Sequence, residues 1–187
     1  MLEIRRYRKT DETYVRKICM ETAKRKYQNK QVICWMFLDY YLEYEAEHVF
    51  VLTYDEEVIG YIVCSVNSSL YENKMTETFL PKISKESKVL GIFTKLCIRV
   101  TASLNHQYNG GFHMNITPKY QHLGLGKRLL DVMAYHLKLH GISYMYLVTE
   151  NKKTKGYGFY KHYGFVSVKK YMGGPLAMVY DLHKLNK

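Results

Sequence analysis

The chain has 187 residues, of which 47% are hydrophobic and 24% charged, and a formal net charge of +11. That length supports one packed core of ordinary size, and the composition excludes a disordered or collagen-like chain. No apolar run reaches the ~18 residues of a membrane span, and the charged opening from Met1 to Thr10 has no apolar signal core, so the expected location is the cytoplasm.

In chain order, Leu2–Tyr7 alternates as a first strand. Thr10 or Asp11 is placed to cap a helix in which Tyr14, Val15, Ile18, Cys19, Thr22 and Ala23 recur at helical spacing, with Lys24, Arg25 and Lys26 suiting its C-terminal end. The run VICWMFLDYYLEY, residues 32–44, lacks strand alternation and predicts a second helix. In HVFVLTYDEEVIGYIVCSV two β-rich runs flank Asp55-Glu56-Glu57, predicting a hairpin of strands two and three. Residues 67–110 predict a mostly helical excursion, punctuated by Pro81 and carrying its apolar spacing at Val89, Phe93, Leu96, Val100 and Leu104. GFHMNIT predicts strand four, ended by Pro118. A long helix is expected from Leu123 to His140, with Leu125, Leu129, Val132, Met133 and Leu137 as its buried stripe and Gly141 as its stop. SYMYLVT predicts strand five, KGYGFYKHYG a short helix closed by Gly164, and FVSVKKY with LAMVYDL a closing strand pair around Gly173-Gly174-Pro175. Neither repeats nor a linker interrupt this order, so one α+β domain over residues 1–187 is expected.

Cys19, Cys34, Cys64 and Cys97 are far apart and form no CxxC pair, which predicts reduced, buried thiols and no zinc site. His136 and His140 stand four apart as a metal pair would, but no third ligand is spaced beside them, and a solvated or capping role is expected. A charge of +11 favours anionic ligands. Nucleic acid and a polyphosphate cofactor are the candidates, and a solvated lysine-rich surface is the plain alternative. No zinc-finger spacing or RNA-binding signature sharpens the nucleic-acid reading.

The stretch NITPKYQHLGLGKRLL, Asn115–Leu130, places Gly124 and Gly126 at a helix start, although glycine inside a helix costs roughly 1 kcal/mol relative to alanine. The first N–H groups of a helix lack partners and sit at its positive end. Glycine lets a phosphate reach those amides without a Cβ in the way, and Lys127 and Arg128 add positive charge. A Rossmann fingerprint fails because Leu129 stands where a third glycine belongs, and a Walker A loop fails because Arg128 follows Gly126-Lys127.

Gln121-His122-Leu123-Gly124-Leu125-Gly126 fits the [RQ]xxGx[GA] loop of the GNAT family of acyl-CoA-dependent N-acyltransferases. HMNITPKYQHLGLGKRLLDVM resembles that family's fourth strand, pyrophosphate loop and following helix, and FYKHYGF, Phe159–Phe165, its tyrosine-bearing helix end. IRRYRKTDETYVRKI and EVIGYIV are similar to its N-terminal pattern, so the resemblance spans most of the chain except 67–110. It implies a mostly antiparallel sheet with a parallel, splayed strand 4/5 pair, helices on both faces, and 67–110 as a helical insertion between strands three and four. It also implies an acetyl-CoA site. Amides from Leu123 to Lys127 would hold the pyrophosphate, with Gln121 and His122 in the same loop. Main chain at Asn115, Ile116 and Thr117 would pair with the pantetheine arm, and Asn151 stands near the family's CoA-contacting asparagine. Asn151 precedes Tyr160 by nine residues where the family commonly has seven, which leaves Thr154 or Lys155 as substitutes.

Acetyl transfer from a thioester to an amine requires a base for the amine, donors for the oxyanion and an acid for the departing thiolate. Tyr160 occupies the family's general-acid position. His113, Asn115 and Thr117 alternate onto one face of strand four, where the family often places a glutamate base. No acid stands within 110–117, so His113 is the titrating candidate for the base, and Asn115 is suited only to orienting a water. An acyl-serine route has no GxSxG elbow to support it. The expected partner is a small-molecule or protein amine, without metal or membrane and with a homodimer open. Its pocket is expected from residues 33–44, 67–110 and 167–178, with Trp35, Tyr40, Tyr41 and Tyr44 as candidate lining or core. A CoA-binding regulatory module with little catalysis and a basic nucleic-acid-associated protein are the alternatives.

Overall fold

The computed structural model describes residues 1–23 and 29–186. Lys24, Arg25 and Lys26, expected at the end of the first helix, lie outside the described residues. The strands are β1 (Leu2–Arg6), β2 (Val49–Tyr54), β3 (Glu57–Ser65), β4 (Gly111–Ile116), β5 (Tyr144–Thr149), β6 (Val166–Lys170) and β7 (Leu176–Asp181). The α-helices are α1 (Glu12–Thr22), α2 (Gln31–Phe37), α3 (Asp39–Tyr44), α4 (Ser68–Lys74), α5 (Leu80–Glu86), α6 (Lys88–Tyr108), α7 (Leu125–Leu139) and α8 (Lys155–Tyr163).

The strands form one mixed sheet in the order β1-β2-β3-β4-β5-β7-β6, antiparallel throughout except for the parallel pair β4/β5. Asp55 and Glu56 take left-handed backbone between β2 and β3, the signature of a tight two-residue hairpin turn. Period-two alternation sorts side chains to two cores. Tyr61 and Val63 join the core under α1–α3 and the 67–110 segment. Ile62, Phe112 and Met145 join the core under α7.

Several expectations need correcting. The 32–44 helix breaks at Leu38, whose φ of −136° leaves helical space and separates α2 from α3. Asp11 makes no side-chain cap bond to α1. Its carboxylate instead accepts from the Arg5 guanidinium and the Arg8 N–H. The 67–110 segment is helical, and a π-helical turn, Met75–Phe79, bridges α4 to α5 just before Pro81, whose missing N–H interrupts the α ladder. The apolar phase expected for α6 is displaced. Val89, Phe93 and Leu96 face solvent, at 75%, 42% and 59% exposure. The inward face is Gly91, Thr94, Ile98, Ala102, Leu104 and Asn105, so of the expected stripe Leu104 is buried. Small and polar residues suit that face, because a Cβ on Gly91 would stand 2.3 Å from Ser84 Oγ and Asn105 Oδ1 accepts the buried Tyr146 hydroxyl at 2.6 Å.

Candidate active site

β4 and β5 touch at one point. Gly111 aligns with Tyr146, and the Tyr146 N–H donates to Gly110 O at 2.8 Å. Gly110 is the residue that permits this approach, since a Cβ there would lie 2.1 Å from Tyr144 O. Toward Ile116 the two strands part. Thr117 N–H donates to Ile59 O across the β3 side. In an antiparallel ladder alternate residues point their main-chain groups to opposite sides. Asn115 and Thr117 therefore face β3, while Met114 and Ile116 turn theirs to the gap. Gln121 Nε2 donates to Ile116 O at 2.8 Å and pins the following loop to the strand end.

That loop ends at the start of α7. His122 and Gly124 both take left-handed backbone, at φ 66° and 74°. The N–H groups of Leu123, Gly124, Leu125 and Gly126 have no acceptor among the described residues. They are the unpaired donors that a helix start leaves, at its positive end. Lys127 departs from the expected set: its N–H turns back to Gly124 O at 3.1 Å, and its ammonium meets Asp131 at 2.7 Å. Gly126 is also explained differently. A Cβ there would sit 3.1 Å from the Phe159 ring and 3.5 Å from Met114, so this glycine lets α8 and β4 close onto α7.

Asn151 is exposed, and its Oδ1 accepts the Lys153 N–H at 2.8 Å within its own turn. Thr154 caps α8, accepting the Tyr157 N–H, and is thereby occupied. This Asx turn followed by a helix cap accounts for the two extra residues between Asn151 and Tyr160.

His113 projects from β4 to the face of Phe37 and Tyr41, and Tyr160, on α8, packs on the opposite face, against Phe112. The Tyr160 ring packs against Phe112, Phe159 and Phe165 at 5.1–5.9 Å. Its carbonyl accepts the Gly164 and Phe165 N–H groups, which close α8 at a left-handed glycine. Its hydroxyl has no partner among the described residues. Burial raises the phenol well above its ordinary value, so it holds its proton at neutral pH. His113 is half-buried, edge-on to Phe37 (5.6 Å) and Tyr41 (5.8 Å). Burial pushes its imidazole down to about 4. Asn115 Nδ2, on the His113 face, donates to the Tyr61 hydroxyl at 2.8 Å.

Tyr61, Phe37 and Tyr41 thus join the site beside residues that the sequence singled out. The strand register pairs Tyr61 with Asn115 and could have found that contact; nothing local in the sequence brings Phe37 to His113. Tyr40 and Tyr41 are core residues rather than pocket lining, at 1% and 3% exposure. His136 is buried, not solvated, and its Nε2 shares a proton with His48 Nδ1 at 2.8 Å, while His140 Nδ1 reaches the His136 carbonyl as a cap. Among the described residues no group of three or more His, Cys, Asp or Glu is arranged to hold a metal ion.

The model of the acetyltransferase (GNAT) family matches residues 11–165. The chain belongs to the GNAT family. Its members use acetyl-CoA and are transferases. No curated protein matches the sequence significantly. Among solved structures the chain is similar to SsHAT, with a TM-score of 0.85 at 21% identity, covering 97% of this chain and 98% of that one. It is similar to the ribosomal-protein-S18-alanine N-acetyltransferase from Escherichia coli, with a TM-score of 0.59 at 14% identity and coverage of 97% and 94%. It is also similar to Drosophila melanogaster polyamine N-acetyltransferase, with a TM-score of 0.66 at 11% identity and coverage of 97% and 100%. These likenesses establish the GNAT fold, including its parallel β4/β5 pair. Among the described residues no helix is long and apolar enough to cross a membrane.

Proposed function

We propose that the chain is an N-acetyltransferase that moves an acetyl group from acetyl-CoA to a primary amine by direct attack in a ternary complex. We read residues 1–187 as one catalytic domain acting in the cytoplasm, with 67–110 as an insertion that builds the acceptor side. The observation that carries the reading is the parting of β4 from β5, with unpartnered amides at its open end and a titratable group on each face.

The residues fit the cofactor. The free amides of Leu123 to Gly126 suit a pyrophosphate, and the gap-facing groups of Met114 and Ile116 suit an extended amide arm. Acetyl-CoA, when bound, supplies an activated thioester. Tyr160 holds a proton for the departing sulfur. Its burial makes the phenol a weak acid in water, but the same desolvation raises the proton affinity of a thiolate beside it. His113, on the opposite face, receives the proton that the amine nitrogen sheds as it bonds to the acetyl carbon.

The test is thiol release from acetyl-CoA with a broad amine panel. Release that depends on the amine supports transfer. Acetyl-CoA binding with no turnover would favour a regulatory CoA-binding module, a reading that the weakly basic His113 and the lack of a carboxylate on β4 motivate. A salt-sensitive complex with RNA or DNA, with no CoA effect on melting, would favour a nucleic-acid role instead.

A further inference from the structure

We propose that α6 docks the protein on an anionic lipid bilayer. Val89, Ile92, Phe93 and Leu96 enter the boundary between headgroups and acyl chains, and Lys88, Lys95 and Arg99 meet the lipid phosphates. The outer face of α6 takes no part in the acetyl-transfer reading above.

Val89, Ile92, Phe93 and Leu96 recur at i, i+3, i+4 and i+7, so they form one ridge along the first turns of α6, about 10 Å long. All four are exposed. Single exposed apolar residues are ordinary, but a contiguous set marks a surface that is covered in use. The same side of the helix is covered further on. Val100, three turns after Val89, packs with Leu104 against Tyr146, Ala177 and Val179 of β5 and β7. Packing inside the domain therefore takes the C-terminal half of this side and leaves the ridge bare.

The helix borders that ridge with cations. Lys88, Lys95 and Arg99 line the flank beside Ile92, and all three are exposed. None has an ion-pair partner among the described residues. The sequence of α6, KVLGIFTKLCIRVTASLNHQY, contains no acid. The neighbouring α5 adds exposed Lys82 and Lys85 against Glu86. With the molecule at +11, this face is complementary to a negative surface.

The residue types favour a bilayer over a protein. Protein interfaces are depleted of lysine and draw their strongest contacts from Trp, Tyr and Arg, whereas this ridge is mainly aliphatic and bordered mainly by lysine. Interfacial helices combine those two features: the aliphatic chains enter the acyl region while lysine stems carry their ammonium groups to the phosphates. A second copy is opposed by charge. In an antiparallel twofold pairing of α6 with α6, each flank meets its own equivalent, which sets Lys88, Lys95 and Arg99 against their copies. The sequence predicts no membrane partner because it lacks a spanning run. An interfacial helix lies in the bilayer plane and needs none. Four apolar residues make a shallow anchor, so the cations are its necessary second part.

The full chain is sedimented with vesicles of phosphatidylcholine alone and with vesicles containing about 30 mol% phosphatidylserine, at low and at physiological salt. Expected is binding to the anionic vesicles that weakens with salt, and roughly tenfold weaker binding to phosphatidylcholine. Ile92→Gln combined with Leu96→Gln is expected to weaken binding roughly tenfold or more, since both side chains lose their apolar insertion. Lys88→Gln combined with Lys95→Gln is expected to weaken it about fivefold for each cation removed. All four positions are exposed, so both double variants should keep the wild-type melting temperature, which shows that they fold. Equal binding to both vesicles, binding that the Ile92/Leu96 variant leaves unchanged, or no sedimentation at low salt overturns the proposal. A dimer in analytical ultracentrifugation that the same variant dissociates gives the ridge to a second copy and also overturns it.

Discussion

At Gly124 the backbone stands at φ 74° with open space where a Cβ would be, whereas at Gly126 the backbone is helical and the space is filled by Phe159 and Met114. The first position is closed to L-residues by conformation and the second by packing. Gly124→Ala is expected to cost about 1–2 kcal/mol, the left-handed penalty, as read from chemical denaturation. Gly126→Val forces α8 or β4 away from α7 and is expected to abolish the acetyl-CoA-induced rise in melting temperature, the mass-action signature of binding. An unchanged rise in the Val variant would remove this loop from the cofactor site. Tyr160→Phe separates chemistry from packing, because its hydroxyl bonds nothing among the described residues while its ring touches three others. Thermal stability should hold and acetyl transfer should fall roughly 10²-fold, the lower end for a positioned acid, with acetyl-CoA affinity little changed. Near wild-type turnover would make Tyr160 a core aromatic only.

At the scale of elements, α6 yields the sharpest contrast between sequence and structure. Its apolar residues occupy nearly every angle of the helix, so spacing alone could not choose between the faces. The choice is made by what lies beneath: the Tyr146 hydroxyl needs an acceptor and the neighbouring α5 needs a close approach, which select Asn105 and Gly91 for the inner face. Ile98→Ala, at 4% exposure, is expected to cost about 2–4 kcal/mol. Ile92→Ala, at 74% exposure, should stay within about 0.5 kcal/mol. Equal losses in urea denaturation would mean that the phase is wrong. Other elements were easier to read. The Gln121–Gly126 loop follows a strand stopped by Pro118, so local chemistry alone marks it. The β2/β3 hairpin was legible from its two β-rich runs. The break at Leu38 was not, since no proline or glycine announces it and tertiary packing sets its backbone. Within the site, His113 and Asn115 were legible from alternation. The partners that weaken the one and orient the other come from α2, α3 and β3, distant in sequence.

For the molecule as a whole, these buried groups set a pH dependence whose sign can be worked out. Burial holds His113 and His136 down to about 4 and lowers His48 as well. For each, the fold favours the neutral ring, so its contribution is complete above the ordinary 6.5 and is lost as pH falls from there toward 4, where the unfolded chain takes up protons first. The His48 Nδ1···His136 Nε2 bond adds to this, because a second proton would make both nitrogens donors. Asp39 opposes the trend. Burial raises it to about 6 despite Arg16, so between about 4 and 6 the folded state binds its proton more readily and gains stability as pH falls. Asp39 stands against His113 and His136, with His48 adding in their direction, and a shift of two units is worth about 2.7 kcal/mol per group. The imidazoles win: stability should drop on the order of 3 kcal/mol between pH 7 and 4.5, visible as a falling melting temperature. His136→Gln keeps a polar partner for His48 and removes one titrating ring, so its melting temperature should fall less steeply over the same range. A slope identical to the wild type would show that His136 takes up its proton alike in the folded and the unfolded chain, and would leave the acid sensitivity to the other imidazoles.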